Sequence, residues 1–146
     1  MGTERFWKIH WAVAVWHNVI GGVGLLFLGD WVYQREGLQP PVPGVNYVRW
    51  MLLILVFAYV YFMVYKDLYN TEKLVRAGIL GKVASATPDL YYLLFQTGVA
   101  KIFWITVCTD YLFAITFFLF LRWVRRQKDL MTRPAIVTNT GYSKPV

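Results

Sequence analysis

Few side chains in this sequence can do chemistry, and those few interrupt apolar runs. Lys82 sits in LVRAGILGKVASATPD, Asp110 in ITVCTDYLFAIT, and the pair His17-Asn18 in WAVAVWHNVIGG. Charge inside a membrane is costly, so such residues pair with one another or mark a functional site. Lys82 lies about eight residues into its run and Asp110 about eight into the next. At 1.5 Å per residue, each is about 12 Å from opposite faces of a core about 30 Å thick. A lysine stem covers much of the remaining difference in depth. Two readings follow. Lys82 and Asp110 form a structural ion pair tying two helices together, or His17, Asn18, Lys82 and Asp110 build an intramembrane polar site for a quinone, a lipid head group or a proton.

His10 precedes His17 by seven residues on nearly the same helix face, about 10 Å away. The two cannot clamp one haem iron, although either can serve one face of a haem or pigment whose other ligand lies elsewhere. No spacing of His, Cys or carboxylates describes a metal site. No phosphate loop, nucleophile elbow or zinc-hydrolase motif is present either. The reading therefore assigns no catalytic residue and no metal. Cys108, the single cysteine, reads as a small packing residue.

These residues are positioned by elements that the composition identifies. The chain has 146 residues, of which 58% are hydrophobic and only 16% charged, against about 25% charged in a soluble domain. A soluble core of this length cannot hide so much apolar surface. An ordinary soluble enzyme, a disordered protein and a disulfide scaffold are all excluded. Four runs reach the roughly 20 residues that a membrane helix needs. They lie at about 6–28, 47–65, 74–98 and 102–124, and lipid allows only helices or a closed barrel. The expected fold is an all-α integral membrane four-helix bundle over residues 1–126, followed by a polar tail at 127–146.

The net charge of +7 argues for topology rather than for nucleic acid. Eleven Lys and Arg fall on the side of the termini, three (Arg35, Arg49 and Lys101) on the other, and Lys82 lies inside span three. Cationic residues collect on the cytoplasmic side, which places both termini there. Trp31, Tyr33, Tyr47 and Trp50 flank the first outer loop as interfacial residues do. That loop contains GLQPPVPG, whose prolines forbid a helix.

Span three is the least apolar. Ala77, Gly81 and Ser85 recur every four residues and form a small-residue packing face. Span one carries a similar face at Ala14, Asn18 and Gly22. Such faces serve packing within the bundle or against another subunit. Thr87-Pro88-Asp89 resembles a helix start, so span three is either broken near Ala86 or only kinked at the proline, the kink being favoured.

The proline-bearing outer loop, the step Leu80-Gly81-Lys82 and Asp110 early in span four together resemble small four-helix bacterial inner-membrane proteins, among them the DoxX group. The resemblance implies a multi-pass protein of the bacterial inner membrane and an association with quinone-linked oxidation. Three functions are consistent with all of this. The first is a non-catalytic accessory subunit of a larger respiratory or photosynthetic membrane complex. The second is a membrane-embedded quinone or redox-associated protein, and the third is a small carrier gated by span three. The expected partners are other integral membrane subunits and lipids. No intrinsic cofactor is expected beyond a lipid, quinone or pigment held at an interface.

Overall fold

The apolar runs fold into four α-helices: α1 (Thr3–Arg35), α2 (Gly44–Lys66), α3 (Glu72–Phe95) and α4 (Phe103–Thr132). The structure, a computed structural model, describes residues 2–39, 44–96 and 100–132, and no strand occurs among them. Helices α1, α2 and α4 are long and apolar enough to cross a membrane. Helix α3 has 24 residues but carries Glu72, Lys73, Arg76, Lys82 and Asp89. Half of the expected loop motif (residues 40–43) and most of the expected tail (133–146) lie outside the described residues. Residues 127–132 are helical rather than tail, held where Lys128 Nζ donates to Glu72 Oε1 at 2.9 Å.

Helix α1 ends on a backbone device that glycine permits. Gly37 has φ 69°, a left-handed conformation that costs glycine little. Its N–H donates to the Gln34 carbonyl, and the Leu38 N–H donates to that of Tyr33. This is the paired closure of a Schellman turn. Helix α3 is continuous through Pro88, so it is not two half-helices. Proline has no N–H for the Ala84 carbonyl, while the Thr87 hydroxyl takes the neighbouring Val83 carbonyl at 2.7 Å.

The helices pack as two antiparallel hairpins, α1–α2 and α3–α4, whose backbones approach each other much less extensively between α2 and α3. Polar contacts fix the register. Asn18 Nδ2 donates to the Ile54 carbonyl at 3.2 Å, and Tyr47 Oη donates to that of Leu25 at 2.7 Å. One step is seven residues up α1 and seven down α2. Between the hairpins, His10 meets Thr116 and His17 meets Thr109, again seven residues apart on each helix. A seven-residue repeat returns to the same helix face, as in coiled coils.

Lipid tails are as apolar as leucine, so close van der Waals fit must supply the cohesion. At the end bearing Thr3 and Thr132 that fit is aromatic. Trp11 stacks on Phe117 with ring centroids 4.3 Å apart, Tyr61 and Phe120 meet this pair edge-on or tilted, and Trp7 meets Phe120 edge-on. Each such pair is worth about 0.5–1.5 kcal/mol beyond its buried area. The buried stripe of α3 is Val75, Gly78, Lys82 and Ala86, and Ala77 of the expected face is exposed. A Cβ on Gly78 would come within 2.9 Å of the Tyr61 ring, so the aromatic plug requires glycine there.

The turn between the hairpins is built by Asp67. Its carboxylate accepts from the Tyr69 and Asn70 N–H groups and from the Asn70 side chain, and the Thr71 hydroxyl donates to its carbonyl. The Asn70 amide and the backbone N–H groups hold the Asp67 carboxyl below the usual carboxylate range.

Two outcomes follow. Gly78→Ala, which must displace the buried Tyr61 ring, is expected to destabilise the bundle by about 1–3 kcal/mol. Gly24→Ala, with nothing within 4 Å of the new methyl, should be neutral or gain up to about 1 kcal/mol from helix propensity. Thermal melts in detergent separate the two. For Asp67, a lowered folded-state value means that the stabilisation is complete above the ordinary carboxylate range and is lost as pH falls through it. The melting advantage of the wild type over Asp67→Ala should therefore narrow on acidification, and an advantage that does not vary with pH contradicts this account.

Candidate functional site: a buried ion pair flooring an apolar pocket

Lys82 lies on the buried stripe of α3, two turns before Asp89, and Asp110 lies two turns into α4. The lysine ammonium donates to Asp110 Oδ1 at 2.5 Å and to Asn18 Oδ1 at 3.0 Å. Lys82 and Asp110 side chains are only 8% and 5% exposed. Asn18 is equally enclosed, and its amide nitrogen is committed to the Ile54 carbonyl. The ammonium also lies 5.4 Å from the Phe113 ring centroid and 6.0 Å from that of Tyr61. One cation of α3 thus engages side chains of the three other helices. Pairing and hydrogen bonding are what make a buried charge tolerable.

The triad floors a cavity of about 310 Å³. Its walls are apolar side chains of α2 (Trp50, Leu53, Ile54 and Phe57) together with Gly21 and Leu25 of α1. His17, Ser85 and Thr106 add polar atoms. The volume lies at the small end of the range for ligand pockets, which are mostly apolar with a few placed polar groups. The cavity occupies the half of the bundle away from Thr3 and Thr132, with Tyr61 at its base and Trp11 and Phe117 packed on the other side of the triad.

Of the residues singled out from the sequence, Asn18, Lys82 and Asp110 are brought together, and His17 lines the same cavity. His17 Nε2 is 3.5 Å from the Thr109 hydroxyl, and His10 Nε2 is 3.1 Å from that of Thr116. Each threonine has carbonyls of its own helix within reach of its single proton, so the network assigns the ring nitrogen as donor. His10 packs among Trp7, Trp11, Phe113 and Phe117 and lies apart from the cavity. Ala14, Asn18 and Gly22 are all buried, with Gly22 seated against Leu55 and Ile54. Gly81 and Ser85 line the cavity, and a Cβ on Gly81 would meet the Phe57 ring. Cys108, expected to pack, is exposed.

Tyr61 was not legible as a site residue. It is 1% exposed, lines the cavity beside Lys82, and its hydroxyl has no hydrogen-bond partner among the described residues. Nothing in the uniformly apolar and aromatic run of α2 distinguishes the inward tyrosine from outward ones such as Tyr59, which is 63% exposed. Trp50, expected as an interfacial residue, also lines the cavity.

Removing one member of a buried pair strands the other. Lys82→Met and Asp110→Leu should each cost about 3–5 kcal/mol, while the double variant should cost much less than their sum. Denaturation of the purified protein and its variants tests this, and additive losses would show that the two charges do not act as a unit. Compared with known proteins, the chain matches no family model, no curated protein and no solved structure.

Proposed function

We propose that this chain is a non-catalytic component of the bacterial inner membrane that binds a small amphiphile of quinone type between its helices and serves a larger electron-transfer assembly. The observation that carries the reading is the cavity of about 310 Å³ with apolar walls and the Lys82–Asp110–Asn18 triad as its floor. An apolar pocket with few polar groups retains a molecule whose body resembles lipid and whose head does not. The DoxX-like order of loop, Leu80-Gly81-Lys82 and Asp110 supports the same reading.

In this reading α3 is the fourth crossing. Its single deep cation is neutralised by Asp110, which removes the main obstacle to placing it in lipid. Both termini face the cytoplasm, where most Lys and Arg gather. Exposed Trp16, Ile20, Phe27, Leu112 and Ile115 on α1 and α4 face lipid or a neighbouring subunit.

The test is gentle purification followed by two measurements, the mass of the assembly and the identity of apolar molecules extracted from it. The expected result is a complex heavier than this chain that retains a quinone-type molecule at about one per chain. That molecule should be lost in a folded Lys82→Met/Asp110→Leu variant. A lone chain holding nothing beyond bulk lipid overturns the reading.

A further inference from the structure

Three of the cavity's lining residues are exposed: Trp50 and Leu53 of α2, at 53% and 44%, and Ala84 of α3. The lining residues of α1 and α4 are buried or half-buried. Among the described residues the cavity therefore meets the outside along the α2–α3 seam, partway down the helices. Gly81 lies just inside this mouth against the Phe57 ring. Pro88 leaves the Ala84 carbonyl at the rim without its helical donor.

The floor carries no net charge. The Lys82 cation and the Asp110 anion cancel, and Asn18 is neutral. A charged head group brought onto them has no uncompensated countercharge to meet and must give up its hydration. Uncommitted hydrogen-bonding capacity remains in the buried Tyr61 hydroxyl and in the third proton of the Lys82 ammonium. The ammonium can only donate and the hydroxyl can donate beside it, so together they suit an oxygen acceptor.

We infer that the mouth between α2 and α3 is a lateral portal through which a neutral, oxygen-headed, hydrocarbon-tailed molecule enters from the bilayer, its head reaching Tyr61 and Lys82 while its tail leaves past Ala84. The inference rests on the binding role proposed above and adds the charge of the ligand and its route. It excludes anionic lipid head groups and solutes arriving from water. The tail stays in lipid, so a cavity of about 310 Å³ needs to hold only the head.

The test uses the full chain in lipid nanodiscs, with the fluorescence of Trp50 isolated as the difference between wild type and Trp50→Phe. Three probes are titrated: a decyl-substituted benzoquinone, decyl phosphate, and a benzoquinone without the tail. The decyl benzoquinone should bind saturably, and at least tenfold more tightly than either of the others. Ala84→Phe, at an exposed position and verified as folded by its melt, should slow association at least tenfold. Tyr61→Phe, which removes only the hydroxyl, should weaken binding about three- to tenfold. Trp50→Ala, followed instead by displacement of a radiolabelled probe, should speed entry. No saturable signal from any probe overturns the binding role together with the portal. Tight binding of the tailed benzoquinone with unchanged rates in Ala84→Phe and Trp50→Ala overturns the portal alone. Equal or tighter binding of decyl phosphate overturns the neutral-head assignment.

Discussion

The Lys82 ammonium is the constraint around which the bundle is arranged. A cation enclosed to this degree needs an anion, further hydrogen-bond acceptors and surroundings that hold them still. Asp110 supplies the anion, Asn18 an acceptor, and the Phe113 and Tyr61 rings the remaining contacts. Each comes from a different element or from a fixed register within one. One turn on from Asn18, Gly22 lets α1 close tightly on Ile54 and Leu55 of α2. Asp110 reaches it only if α3 and α4 are antiparallel and in step. The small residues, the seven-residue steps and the continuous α3 are conditions for one ion pair.

On either side of that pair the bundle solves different problems. Toward the termini, Trp7, Trp11, Phe117 and Phe120 fill the interior with stacked and edge-on rings. Away from the termini the wall residues are Gly21, Leu25, Ile54 and Phe57, which leave a cavity. Solid packing on one side and open space on the other give the polar floor a direction: it is reachable from one half of the bundle and sealed from the other. That asymmetry makes a binding role more coherent than a purely structural one, since a tie between helices has no need of a cavity above it.

The sequence carries the helical class, the apolar character of the chain and the small set of polar residues worth attention. Lys82 and Asp110 stand out because charge in an apolar run has few explanations. The inward face of α3 was less legible. A strict four-residue spacing at Ala77, Gly81 and Ser85 drifts around a helix of 3.6 residues per turn, and the buried stripe is instead Val75, Gly78, Lys82 and Ala86. Tyr61 was hidden by the uniformity of α2, where apolar and aromatic residues surround the helix and no periodicity reports its orientation. The extent of α4 was underestimated because Gln127, Lys128 and Asp129 look like solvent-facing tail. They continue the helix, and Lys128 bonds to Glu72 across the hairpin.

The hairpin organisation also bears on how such a chain is made. Helix α3 is the poorest candidate for entering lipid alone, since it carries Lys82 with no anion of its own beside it. Its partner Asp110 lies on the very next helix, 28 residues later. The α3–α4 hairpin therefore contains both halves of its deepest charge pair, which it can neutralise without the Asn18 of α1. Helices α1 and α2, already apolar enough to cross by themselves, need no such arrangement. The order of the helices along the chain is thus also a workable order of assembly.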